Sequence, residues 1–172
     1  MKVLLHLADG FEEIEALSTL DILRRADIDT TTVSIMGRIE VKSSRGVIIQ
    51  ADKIFSDINY QEFDMIILPG GPGTTLLDQH EELKSHLKNY DAEGKWIAAL
   101  CAAPSVLGKL NLLNGKNAVC YPGYENDLIG AKVSLNEKVV VDGNIITSRG
   151  PGTSFDFAFK IVEVLKGSVL VD

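Results

Sequence analysis

Apolar positions along the chain form short runs that alternate with amphipathic stretches. Residues 3–7 are a continuous apolar run, as expected of a parallel strand buried on both faces, and 64–68 and 96–100 read the same way. Residues 11–26 place Phe11, Ile14, Leu17, Leu20 and Leu23 on one helical face. Residues 30–36 are β-branched and strand-like, and 47–49 read as a strand in a hairpin with 39–41. Helices are predicted over 81–90, over 104–113 up to Asn114-Gly115, and over 154–166 with Gly167 just past the end. A short strand is read at 118–120, and Asp142-Gly143-Asn144 between 139–141 and 145–147 signals a hairpin. Strands separated by helices predict an α/β sandwich with a mostly parallel sheet. Ligands of such sheets bind beyond the carboxyl ends of the strands, where residues 9–15, residues 69–73 and Cys101 fall.

Composition narrows the field. No linker, charge block or repeat divides the 172 residues, so a single domain over 1–172 is expected. Apolar residues at 45% and charged residues at 24% match a globular protein rather than a disordered one. A net charge of −7 argues against nucleic acid, whose phosphates need a basic face, and against a polybasic membrane anchor. No apolar run approaches the roughly 18 residues of a bilayer span. The N-terminal run is too short for a secretion signal and reads as the first strand. Cys101 and Cys120 lie in no CxxC spacing, so a reducing, cytoplasmic setting is expected.

Cys101 carries the strongest chemical signal. It stands where an apolar strand meets a helix, in Ala99-Leu100-Cys101-Ala102-Ala103, and small neighbours suit a sharp strand–nucleophile–helix turn. Such a turn aims the sulfur at solvent, and the helix N-terminus favours the thiolate. Plain packing competes, because lone cysteines are often buried. Glu12 and Glu13 are explained by a first helical turn, and Asp9 with Glu12 has capping-box spacing. Glu15 lies too far along for that. Facing the sheet edge, it would approach Cys101 with a raised pKa, donate to sulfur and shuttle a proton. Pro69-Gly70-Gly71-Pro72-Gly73 lacks the ending of a phosphate loop. It is either a plain turn or an oxyanion hole built from backbone N–H groups. His6 reads as a core residue, His80 and His86 as solvated, and no cluster has metal-ligand spacing. Packing is the default for Cys120.

Taken in order, the segments Asp9-Gly10-Phe11-Glu12-Glu13-Ile14-Glu15, Leu68-Pro69-Gly70-Gly71, Ala99-Leu100-Cys101-Ala102-Ala103-Pro104 and Thr147-Ser148-Arg149-Gly150-Pro151-Gly152-Thr153-Ser154 resemble the ThiJ/PfpI family. The last is most similar to its parkinsonism-associated deglycase branch and bacterial relatives. The resemblance implies a flavodoxin-like three-layer sandwich forming a homodimer, with Cys101 as nucleophile and Glu15 as its carboxyl partner. It places Gly70, Gly71 and the Ala102 N–H in the oxyanion turn and Arg45 near the dimer interface. Many members carry a His-Pro pair after the cysteine helix; here Tyr121-Pro122 stands instead. A tyrosine with a pKa of about 10 is a poor base at neutral pH, which weakens a Cys-His peptidase reading.

The activity this implies is cofactor-independent and uses no metal, nucleotide or flavin. A cysteine-dependent glyoxalase or deglycase would act on small dicarbonyls or their glycated adducts and release 2-hydroxy acids. The rivals are a redox-sensing, stress-protective chaperone that oxidises Cys101, an intracellular cysteine peptidase or amidase, and a role in thiamine biosynthesis, for which no residue here argues.

Overall fold

The computed structural model describes residues 1–167. Its elements in chain order are β1 (Lys2–Leu7), α1 (Glu13–Arg25), β2 (Asp29–Ser34), β3 (Glu40–Lys42), β4 (Ile48–Gln50), β5 (Lys53–Ile54), β6 (Met65–Leu68), α2 (Thr74–Gln79), α3 (Glu81–Ala92), β7 (Trp96–Leu100), α4 (Pro104–Lys109), β8 (Asn117–Ala118), β9 (Lys132–Val133), β10 (Val139–Asp142), β11 (Ile145–Ser148) and α5 (Ser154–Lys166). Seven strands form one sheet in the order β10-β11-β7-β6-β1-β2-β5. All neighbours in it are parallel except β10 and β11. This is the flavodoxin-like α/β sandwich that the strand–helix alternation implies.

Because side chains alternate across a strand, β1 feeds two cores. Val3, Leu5 and Leu7 face α1 and α5, packing with Leu23, Phe157 and Ile161. Leu4 and Ala8 face the other layer, with Leu77, Leu83, Leu87 and Val106 from α2, α3 and α4. Each large apolar side chain so buried contributes roughly 1.5–3 kcal/mol. The parallel register pairs Leu5 with Ile67, Leu68 with Ala99 and Leu100 with Ser148. The carboxyl ends of β1, β6, β7 and β11 therefore line one edge, and the loops beyond them meet there.

The structure departs from the sequence pattern in several places. The buried face of α1 is Glu15, Ala16, Thr19 and Leu23, not the stripe through Ile14, which is exposed. Glu12 caps α1, accepting from the Glu15 N–H at 2.9 Å. Asp9 does not cap it, and instead pairs with Arg38 and accepts from the Lys42 N–H. Helix α4 stops at Lys109 rather than running to 113, because the chain turns through Asn111 at φ +61°. The 118–120 strand is shorter than its apolar pattern: β8 ends at Ala118 and pairs with β9. The 39–41/47–49 hairpin is present as antiparallel β3–β4. Edge strand β5 and helix α2 are too short to leave a periodic signal.

All three histidines converge on one aromatic cluster, so His80 and His86 are not simply solvated. His6 is fully buried, with Nε2 and the Tyr60 hydroxyl 2.7 Å apart. His86 stacks on Tyr60 at 3.6 Å between ring centres, and His80 lies 4.3 Å from Phe55. Burial pushes His6 down to about 3, with His80 and His86 adding to the shift. The folded state thus holds a neutral ring, whereas the unfolded chain protonates it near pH 6.5. The stability carried by the neutral ring is complete above that value and falls as pH drops below it. Between pH 7 and pH 5 the loss is about 2 kcal/mol. Urea denaturation of wild type and His6→Leu at both pH values checks this. The variant is expected to be less stable at pH 7, since Tyr60 loses its partner, but to show a shallower fall toward pH 5. Equal slopes would contradict a neutral His6.

Candidate active site

The loops beyond β1, β6 and β7 bring Glu15, Gly70, Gly71, Cys101 and Ala102 together. Cys101 follows the last residue of β7. Its N–H donates to the Ser148 carbonyl at 3.0 Å, and its carbonyl accepts from the Tyr121 N–H at 2.8 Å. These bonds hold it at φ +63°, a left-handed conformation that is uncommon away from glycine. The turn runs through Ala102 and Ala103 before α4 begins at Pro104. The sulfur is therefore not aimed into open solvent: Cys101 is only 8% exposed.

Glu15 reaches the same point from α1 and is 0% exposed. Its Oε2 accepts from the Gly70 N–H at 2.7 Å. Its Oε1 is buried with no partner of ordinary hydrogen-bond geometry among the described residues. Gly70 is required by crowding. A Cβ there would lie 2.5 Å from Cys101 Cβ and 2.7 Å from Glu15 Oε2. Gly71 is required by both conformation and crowding, with φ +90° and an added Cβ only 2.6 Å from the Gly10 carbonyl oxygen. The Pro-Gly-Gly turn is also tied to the start of α1, since the Glu12 N–H donates to the Gly70 carbonyl at 3.0 Å. Three segments far apart in sequence thus lock into one unit.

The electrostatics follow from burial. Desolvation pushes Glu15 up to about 7, against the pull of the Cys101 thiol and the Gly70 N–H, with the Glu12 charge adding to the rise. Desolvation also pushes the Cys101 thiol above its usual range, and the Glu15 charge adds to this. The N–H groups of Ala102 and Gly71 pull it back down. The helix-derived thiolate expected from sequence is thus opposed by burial and by an anionic neighbour. The Glu15 contribution changes sign once that carboxyl is protonated, because its O–H can then donate to sulfur. The two groups titrate as a coupled pair. Cys120 is pushed up to about 11 by burial and by Glu125 and Asp127.

Of the residues that the resemblance assigns to an oxyanion turn, Gly70 has its N–H occupied by Glu15. The N–H groups facing sulfur are those of Gly71 and Ala102. Tyr121 is 46% exposed, with its ring against Gly150 and its N–H bonded to the Cys101 carbonyl. It borders a slot of about 240 Å³ between residues 121–122 and 149–153. Arg45 is not in the cluster. It is exposed on the β3–β4 loop, where its N–H donates to Glu13 at 2.6 Å. Glu13, which sequence assigned to the helix start alone, also accepts from the Ser43 and Ser44 hydroxyls. The run Ser43-Ser44-Arg45 was the available signal for that grip. Among the described residues no group of three or more His, Cys, Asp and Glu side chains could hold a metal ion. No helix among them is long and apolar enough to cross a membrane.

A strained, buried cysteine at a strand–helix junction on a flavodoxin-like sheet, with a carboxyl beside it, describes a class of α/β protein. Comparison with known proteins places the chain within that class. The DJ-1/PfpI family matches residues 1–164, and the chain belongs to this family. It is 40% identical over 168 residues to protein DJ-1 homolog B of Arabidopsis thaliana, covering 96% of this chain but 38% of that protein. It is 31% identical to deglycase PYRAB04690 of Pyrococcus abyssi, covering 96% of this chain and 100% of that protein. The crystal structure of Drosophila melanogaster DJ-1beta superposes with a TM-score of 0.94 at 39% identity, covering 99% of this chain and 94% of that one.

The packing at Gly70 yields a direct test. Gly70→Ala forces Cys101 and Glu15 apart and is expected to cost about 1–3 kcal/mol of stability, as overpacking does. Chemical denaturation measures the cost, and iodoacetamide labelling reads Cys101 reactivity in the same variant. Unchanged stability together with unchanged labelling would contradict the packing described.

Proposed function

We propose that this protein is a cofactor-independent glyoxalase or deglycase that uses Cys101 as nucleophile and Glu15 as acid–base group. The observation carrying this reading is the Glu15 carboxyl, buried against Cys101 and held by one Gly70 hydrogen bond, with its pKa pushed to about 7. A group tuned to the working pH is suited to moving protons in both directions. The match to a Pyrococcus abyssi deglycase over that protein's whole length supports the same class.

With methylglyoxal as substrate, the Cys101 sulfur adds to the aldehyde carbon and forms a hemithioacetal. The Gly71 and Ala102 N–H groups face the sulfur and are suited to binding the resulting alkoxide. Glu15 then moves a proton from the first carbon to the second, which converts the hemithioacetal to a thioester. Water hydrolyses the thioester, so methylglyoxal plus water gives lactate, and Cys101 is regenerated. Tyr121 supplies shape rather than a base. The resemblance to a homodimeric family extends the proposal to a dimer. Ile14, Val47 and Ile48 lie exposed near the Glu13–Arg45 contact and are suited to burial there.

A second reading has a specific observation in its favour. An oxidised sulfur bearing oxygens would find donors in Gly71, Ala102 and a protonated Glu15 whose Oε1 lacks a partner. Mild peroxide that adds two oxygens to Cys101, in a protein with no dicarbonyl turnover, would favour this sensor role.

Lactate formation from methylglyoxal tests the enzymatic reading. Cys101→Ser is expected to abolish it, and Glu15→Gln to lower it by about 10²-fold or more. Below about pH 7 the pair holds two protons and no thiolate is available; above it one proton is shared. kcat/KM should therefore rise with pH through about 7. A rise centred at the ordinary thiol value of about 8.5, or a profile flat across that range, would contradict the coupling.

A further inference from the structure

The conformation of Cys101 depends on its two peptide groups being held from outside. Its N–H donates to the Ser148 carbonyl at 3.0 Å, and its carbonyl accepts from the Tyr121 N–H at 2.8 Å. The first bond continues the β7–β11 ladder, in which Leu100 pairs with Ser148. The second comes from outside the main sheet. Tyr121 follows β8, which pairs with β9 and ends at Ala118. The segment 119–121 that delivers the Tyr121 N–H has therefore left its own pairing.

A side chain of the main sheet docks that segment. The Val119 N–H donates to Thr147 Oγ1 at 3.0 Å. Val119 and Thr147 are each 1% exposed, so solvent cannot take the place of this bond. Thr147 is a fixed post. Its backbone lies within β11, opposite Ala99 of β7 on one side and Val140 of β10 on the other. Its β-branched side chain has few rotamers. A second rung joins β8 to the hairpin at the opposite end of the β10–β11 pair from Ser148. There Asp142 accepts from the Asn117 N–H at 2.8 Å and from the Asn117 side-chain amide at 3.1 Å, both exposed.

We propose that Thr147 is a positioning residue for Cys101: its hydroxyl fixes Val119, so that the Tyr121 N–H reaches the Cys101 carbonyl and keeps the cysteine in the left-handed conformation that presents its sulfur to Glu15. An L residue leaves that conformation when nothing holds it, because it brings Cβ close to the following carbonyl. Thr147 acts through two backbone segments rather than on the reacting atoms. Its effect on turnover rests on the reading of Cys101 as nucleophile; its effect on the sulfur does not.

Three variants separate positioning from general loosening. Thr147→Ser keeps the acceptor, Thr147→Val keeps the shape and removes it, and Asp142→Ala cuts the exposed rung. Iodoacetamide labelling of Cys101 against pH reads the sulfur directly. Wild type, Thr147→Ser and Asp142→Ala are expected to label with a midpoint near pH 7, set by the pairing with Glu15. Thr147→Val should move toward the ordinary thiol value of about 8.5. Its lactate formation from methylglyoxal should fall by about 10²-fold in kcat with KM little changed, as a misplaced reacting group causes. A Thr147→Val profile matching wild type, or an equal shift in Asp142→Ala, would overturn the positioning role. Hydrogen exchange in wild type decides the matter should Thr147→Val not fold. The Val119 and Tyr121 amides are expected to open together with equal protection. A Tyr121 amide that exchanges freely while Val119 stays protected would overturn the role as well. Absence of lactate formation by wild type contradicts the nucleophile, whereas an unshifted Thr147→Val profile with turnover intact contradicts the role of Thr147 alone.

Discussion

Glu15 is shut off from water, and its carboxyl accepts one good hydrogen bond, from the Gly70 N–H. Burying such a group is expensive unless it is protonated or paired, and the surrounding structure is arranged to make it tolerable. Helix α1 is rotated so that Glu15 rather than Ile14 faces inward. Glu12 anchors the first turn by accepting from the Glu15 N–H. Position 70 has no room for a Cβ, so the Gly70 N–H can reach the carboxyl. Cys101 is held in a left-handed conformation by Ser148 and Tyr121, which presents its sulfur to that carboxyl. Removing any one of these restraints loosens the others, because they meet at a single point.

Much of this was visible in the sequence. The buried strands stood out as apolar runs, because both faces of a parallel sheet are covered. Cys101 stood out because small residues flank it at the end of such a run, and Glu15 because it lies beyond a helix cap. The apolar stripe of α1 misled, since periodicity assumes that the core face is apolar and here a carboxyl occupies it. Gly70 illustrates a second limit: its role as donor to Glu15 depends on a contact across 55 residues that no local pattern encodes. The histidine cluster escaped for the same reason, because His6, His80 and His86 converge only through packing onto Phe55 and Tyr60.

The division of labour at the sheet edge follows from these restraints. Under the proposed function, the turns at 70–71 and 101–102 supply the sulfur and the N–H groups that bear on it. The segments 121–122 and 149–153 line a slot of about 240 Å³, and the Tyr121 N–H ties the first of them to the Cys101 carbonyl.

The account stands on Cys101 and Glu15 titrating as one unit near neutral pH. The most direct measurement is a carbon-13 NMR titration of the Glu15 carboxyl in wild type and in Cys101→Ser. The account predicts a wild-type transition near pH 7 that moves when the sulfur is replaced. A transition at the ordinary glutamate value of about 4.3, the same in both proteins, would contradict it.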